Sequence, residues 1–253
     1  MLNTRKAFLY FVSILPFNFL RLFFYRLFFN YEIEDSSIGF GTQIDCEQVF
    51  LKGSKIGGKN IVNCKSLSLL ESSIGNANQF TGLKTIKLEN ASISNNNSFS
   101  GFISLVMSGE LDNRSDIGNF NRFFLGAWSR ELKNGTVQLQ PGAKITSSHL
   151  FDLVCDIVIG RNSVIAGRES QFWTHGVGIN KSINIGDLCY IGSACRFAPG
   201  AATGNNIIVG MGSVVTKHIE CNNAMIAGVP AKIIKSNYDF RSKDYLATGE
   251  VEL

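Results

Sequence analysis

The sequence predicts an all-β solenoid of triangular coils, and three observations carry that prediction. An aliphatic or aromatic residue returns every six positions, glycine often follows it, and three such steps make a longer period of eighteen. Across residues 183–215 the six-residue step holds Ile185, Ile191, Phe197, Thr203, Val209 and Val215, with glycine after Ile185, Ile191, Thr203 and Val209. Farther back, Ile38-Gly39, Ile56-Gly57 and Ile74-Gly75 stand eighteen apart. Six matches neither the helical period of about 3.6 nor the alternation of sandwich strands with turns about every 8–12 residues. Three short strands per coil satisfy both periods, because every sixth side chain then points to the axis and every eighteenth stacks on its predecessor. Glycine after the inward residue is expected at the corners, where positive φ costs little without a Cβ.

The chain opens with RKAFLYFVSILPFNFLRLFFYRLFFNY (residues 5–31), which is basic, aromatic and free of carboxylates up to Glu32. Pro16, Asn18 and Arg21 interrupt the apolar run of about 20 residues that a membrane span needs. A secretory signal would end in a small-x-small cleavage site, and the bulky LFFYRLFF stands in its place. The pattern predicts two short helices divided at Pro16. They either lie at a lipid headgroup boundary with arginines on phosphates, or cover the open end of the solenoid core.

Residues 36–135 form the first coils, with Ile44, Phe50, Val62, Phe80 and Ile86 on the intermediate sixes. After one inserted residue the phase runs through Ile93, Phe99, Leu105, Leu111, Ile117 and Phe123. Residues 136–235 form a second set through Leu139, Ile145, Phe151 and, after a two-residue shift, Ile159 and Ile165; residues 236–253 are a tail. Two breaks, FLGAWSRELKNGT (124–136) and WTHGVGINKS (173–182), are expected to be loops, and a long excursion from a regular solenoid points to function. The in-phase Phe50, Phe80, Phe99, Phe123 and Phe197 are expected in the core or in stacked corners. The asparagine-rich SNNNSFS (94–100) reads as a turn or a stacked polar ladder.

The composition, 45% hydrophobic and 17% charged, excludes disorder, and a scattered net charge of +4 gives no nucleic-acid footprint. Six cysteines without a C-x-x-C pair read as small buried hydrophobes in a reducing compartment.

The run IGDLCYIGSACRFAPGAATGNNIIVGMGSVVTKHIECNNAMIAGVPAKIIK resembles the C-terminal half of the hexapeptide-repeat acyltransferases. These are left-handed parallel β-helix enzymes that include galactoside, maltose and polysaccharide O-acetyltransferases. The resemblance is specific over about 157–235, and the left hand of the coil is taken from it, since parallel crossovers otherwise favour the right. It implies acetyl transfer from acetyl-coenzyme A to a hydroxyl or amine, in homotrimers with active sites between subunits. It also implies a catalytic base in a loop leaving the helix, and QFWTHG places His175 there. A group titrating near neutrality suits the removal of an alcohol proton as the thioester is attacked.

By the same resemblance, Tyr190, Gly192 and Ser193 match the turn beside the thioester, with the Ser193 N–H as oxyanion donor. Gly210, Gly212 and Ser213 match the turn under the pantetheine arm. Thr216, Lys217, Pro230, Ala231, Lys232 and Lys235 match the coil and tail near the nucleotide phosphates. Met211 stands where a small residue is usual, Thr203 where an aliphatic is, and His218 where an acid is common.

Among three histidines, His175 carries the match; His149 is the reserve, as base, acceptor contact or coil-corner residue, and Asp152 could orient either. His218 reads as a surface residue on the cofactor side. Trp173 and Trp128 lie in the irregular loops and are candidates for stacking on a sugar. Separations of 26 and 43 residues between the histidines do not fit a three-histidine zinc site on adjacent coils, so no metal is expected. The expected activity is O-acetylation of a sugar hydroxyl in a bacterial surface polysaccharide or its precursor. It would act in the cytoplasm or peripherally on the inner face of the cytoplasmic membrane through residues 1–31. N-acetylation of an amino sugar nucleotide and a non-catalytic scaffold remain alternatives.

Overall fold

The computed structural model describes residues 4–126 and 135–240, and these wind as a parallel β-solenoid with three faces. The first face stacks Ser98–Ser100, Arg122–Phe124, Leu150–Asp152, Gln171–Trp173, Arg196–Phe197 and Val214–Val215. The second stacks Ser104–Ser108, Thr136–Leu139, Ile157–Ile159, Ile183–Ile185, Ala202–Thr203 and His218–Ile219. The third runs from Ser37–Ile38 to Ala224–Gly228 and ends on the antiparallel Ala231–Lys235. Near the start, Gln43–Lys52, Ile61–Leu70 and Gln79–Glu89 are long enough to pass through the first and second faces as single strands.

In-register parallel pairing puts like over like. Phe80, Phe99, Phe123, Phe151, Phe172 and Phe197 form one buried column, with successive ring centroids 4.5–4.8 Å apart and ring planes within 14°. A second column, polar and buried, runs up the corner between the third and first faces. The side-chain carbonyls of Asn60, Asn78, Asn97 and Asn121 each accept from the backbone N–H one coil on, at 2.8–2.9 Å, and the last of these donors is His149 N–H. The column absorbs backbone donors that a sharp corner leaves without strand partners. Cys46, Cys64, Cys189 and Cys195 are buried free thiols. Cys46 and Cys64 meet on adjacent coils with sulfurs 2.7 Å apart, and this contact together with burial pushes the Cys64 thiol up.

Two in-phase residues depart from expectation. Phe50 faces outward because the in–out alternation that buries Ile44 and Cys46 slips by one residue at the exposed pair Glu47–Gln48, so Val49 and Leu51 are buried instead. Leu111 is 79% exposed, in a turn closed by the Glu110–Asn113 bridge. The inserted residue is Gly82, whose φ of +71° lies opposite a register shift between Asn63 and Cys64. The glycines after inward aliphatics also have another cause than expected. Gly39, Gly57, Gly186 and Gly204 do not take positive φ; a Cβ on Gly204 would stand 1.9 Å from the Cys221 carbonyl oxygen, and one on Gly186 2.2 Å from that of Gly204. They are glycine because consecutive coils touch there.

Two helices, α1 (Thr4–Ser13) and α2 (Asn18–Phe29), break at Pro16 as expected, since proline lacks a donor and holds its predecessor out of helix. Leu9, Val12, Leu22 and Tyr25 enter the core. The helices also satisfy the open backbone of the terminal coil. Arg21 donates to Ile38 O at 2.9 Å and to Leu15 O, Arg26 to Ile33 O, and Tyr25 OH to Thr42 O at 3.0 Å. Arg5 pairs with Asp45 at 2.7 Å. Capping is therefore visible in the contacts. Of the arginines expected on lipid phosphates, Arg21 is buried, while Arg5 and Arg26 are bonded to the solenoid yet still exposed, as are Phe11, Phe19, Phe23, Leu27 and Phe28. No helix among the described residues is long and apolar enough to cross a membrane.

Candidate active site

Both irregular loops leave the solenoid at one edge, between the first and second faces. The chain departs after Phe124 and returns at Gly135, and two coils on it departs after Trp173 and returns at Ile183. Trp128 lies outside the described residues. The second excursion is a small hairpin in which His175–Gly176 pairs antiparallel with Ile179–Asn180, with Lys181 N–H on Thr174 O at 3.0 Å. His175 is thus held at the root of its loop.

His175 Nδ1 lies 2.5 Å from Asp152 Oδ2, joining the end of one first-face strand to the loop leaving the next. The histidine side chain is 25% exposed and the carboxylate buried. With Asp152 accepting from Nδ1–H, Nε2 is left as the basic nitrogen. Thr174 is also buried, its hydroxyl donating to Asp152 O at 2.8 Å and accepting from Cys155 N–H at 3.0 Å. Oδ1 of Asp152 has no hydrogen-bond partner among the described residues.

His149 is placed differently. Its Nδ1 accepts from Ser170 N–H at 3.1 Å, so Nε2 carries the proton and donates to Thr146 Oγ1 at 3.0 Å. Burial pushes this imidazole down to about 4. It is a neutral member of the corner column, with both ring nitrogens engaged, and Asp152 pairs with His175 instead.

Tyr190, Gly192, Ser193, Gly210 and Gly212 line the corner between the third and first faces, where Gly212 N–H bonds Ser193 O at 2.9 Å. That is the opposite end of the first face from His175, so one chain does not bring the histidine and the Ser193 N–H together. Ser213 is buried, its hydroxyl on Gly210 O at 2.5 Å and accepting from Gly228 N–H at 3.2 Å, so its side chain supports the turn rather than facing a ligand. Gly212 has φ of +72° with open space around it, and Met211 is 78% exposed. Thr203 is buried, and its hydroxyl takes the place of apolar filling by accepting from Gly186 N–H at 3.1 Å.

Thr216 and Lys217 lie on the edge of His175, and a hollow of about 480 Å³ there is lined by Lys217, His218, Glu220, Ala231 and Lys232. Pro230 is in the turn before Ala231, and the Lys235 ammonium lies 4.1 Å from the Tyr238 ring centroid. No group of three His, Cys, Asp or Glu able to hold a metal occurs among the described residues.

Trp173 stands beside the pair, its ring centroid 6.3 Å from that of His175 and its Nε1–H on Gln171 Oε1 at 3.2 Å. Phe124, which sequence reasoning passed over, packs edge-on against it at 6.3 Å and 81°. Its signal was available: it follows the inward Phe123 and so points outward on the strand before Asp152.

No protein-family model matches the chain. It is 43% identical over 63 residues to galactoside O-acetyltransferase of Escherichia coli K12, covering 25% of this chain and 30% of that protein. Against serine acetyltransferase of Buchnera aphidicola it is 33% identical over 126 residues, 46% of this chain and 48% of that one. Against an Escherichia coli protein named for O-acetyl transfer in lipopolysaccharide biosynthesis it is 41% identical over 64 residues, 25% and 32%. These relatives are acetyltransferases. The chain spans less than half the length of each of them.

Proposed function

We propose that this chain is an O-acetyltransferase that moves acetyl from acetyl-coenzyme A to a sugar hydroxyl of a bacterial surface polysaccharide or its lipid-linked precursor. The observation that carries the reading is the pairing of Asp152 with His175, which sits at the root of a loop inside the stretch that resembles the hexapeptide-repeat acyltransferases. In the direct mechanism, His175 Nε2 takes the hydroxyl proton as the sugar oxygen attacks the thioester carbonyl. The tetrahedral oxyanion collapses, the carbon–sulfur bond breaks, and the proton leaves with coenzyme A as thiol. Asp152 keeps the imidazole in the tautomer with a basic Nε2 and stabilises the imidazolium once formed.

The coils at residues 136–235 would carry this chemistry, with Trp173 beside the acceptor and Lys217 and Lys232 near the nucleotide phosphates. The separation of His175 from Tyr190, Gly192 and Ser193 across the first face supports a trimer in which a neighbour supplies the second half of the site. The exposed phenylalanines of α1 and α2 support contact with a lipid surface through apolar insertion. Release of free thiol from acetyl-coenzyme A by wild type and His175→Ala, with a panel of sugars and glycans, tests the reading. Acceptor-dependent release that collapses in a variant still binding coenzyme A supports it; wild type that neither binds coenzyme A nor releases thiol overturns it.

A further inference from the structure

Asp152 occupies a position that should face solvent. Its neighbour Phe151 points inward, in the phenylalanine column between Phe123 and Phe172, and strand alternation turns Asp152 to the outside. The equivalent residues one coil before and after, Phe124 and Trp173, are both partly exposed, yet Asp152 is 0% exposed. The Phe124 and Trp173 centroids lie 6.3 Å apart at 81°, so the two side chains meet above the strand that separates them. The indole is braced by Gln171 and His175.

We propose that Phe124 is a positioning residue for His175, closing with Trp173 over the Asp152 carboxylate so that water does not reach the Asp152–His175 hydrogen bond. A carboxylate in water spreads its hydrogen bonds over many solvent partners. Under an aromatic cover its partner is His175, and the interaction of a charge with its remaining partner strengthens as the surroundings become less polar. In this proposal Phe124 acts through Asp152, by exclusion. Its catalytic meaning rests on the acetyl-transfer reading, whereas the shielding itself does not.

Proton NMR of ¹⁵N-histidine-labelled protein reads the shielding directly. A His175 Nδ1–H held against a dry carboxylate gives a far-downfield, slowly exchanging resonance, removed by His175→Ala. Phe124→Ala is expected to lose that resonance to exchange with water while the melting transition remains cooperative. Phe124→Leu restores it by keeping apolar cover, and Arg122→Ala, on the same strand, leaves it in place. A wild-type protein without the resonance, or a Phe124→Ala variant that keeps it at the wild-type exchange rate, overturns the proposal. In the thiol-release assay Phe124→Ala should lower kcat by about ten- to a hundredfold with KM for acetyl-coenzyme A unchanged. If the resonance behaves as stated and wild type shows no acetyl transfer, the shielding stands and the reading of the activity falls.

Discussion

Asp152 Oδ2 and His175 Nδ1 are 2.5 Å apart although 23 residues separate them, because one coil of the solenoid brings the end of each first-face strand directly over the last. The pairing makes the carboxylate a tautomer-setting group, and this distinguishes two substitutions. His175→Ala should reduce thiol release about 10²–10⁴-fold by removing the base, while Asp152→Asn, which keeps the shape but loses control of the tautomer, should lose up to about 10⁴-fold with the histidine still in place. Equal activity in Asp152→Asn and wild type would mean that the pair does not serve the reaction.

His149 should register in stability rather than in turnover. Its folded-state value of about 4 lies below the ordinary 6.5, so between these limits the unfolded chain binds more protons and stability falls as pH falls. The contribution is fully present above about pH 6.5 and lost on approach to pH 4, on the order of 3 kcal/mol in total. Urea unfolding of wild type and His149→Gln at pH 7, 5.5 and 4.5 checks it. The variant should be less stable at pH 7 and show a flatter decline, and identical declines would show that the imidazole does not titrate with unfolding.

Arg21 donates to two carbonyls at the seam between helices and first coil, so Arg21→Ala removes the side-chain donor from the buried Ile38 oxygen and from the partly buried Leu15 oxygen. The expected loss is about 2–4 kcal/mol of stability, with earlier proteolytic release of the first 30 or so residues. Unchanged protease resistance would show that the helices hold by apolar packing alone.

Glycine-to-alanine substitutions should rank by contact rather than by dihedral. Gly204→Ala forces a Cβ against the Cys221 carbonyl oxygen and should cost about 3 kcal/mol. Gly212→Ala meets open space and should cost about 1 kcal/mol for its positive φ. The opposite order in thermal unfolding would restore the conformational explanation of the repeat.

That correction shows what the sequence made legible. Periodicity exposed most inward residues, because stacking coils demands like side chains at recurring positions; it placed Phe80, Phe99, Phe123, Phe151 and Phe197 in phase, while Phe172 was missed because the loops and insertions leave the column members unevenly spaced. Phe50 was misread because six-residue counting assumes evenly spaced corners, and in the early strand the alternation slips one residue later, at Glu47–Gln48. Polar residues were harder still. Sequence preferred His175 by its loop and its resemblance but left His149 in reserve with Asp152 open to either, and only the surroundings separate them, one locked between Ser170 and Thr146 and the other paired to Asp152. Phe124 escaped notice because its importance comes from what it covers.

The stacking also sets a height. From the strand Gln43–Lys52 under the helical cap to the strand Gln171–Trp173 below His175 there are six inter-strand steps, and at about 4.8 Å each these span roughly 29 Å. The molecule is therefore a spacer as well as a scaffold, and its length is quantised. Deleting one regular coil of eighteen residues, such as 54–71, would lower the histidine by a single step and change nothing at its own level.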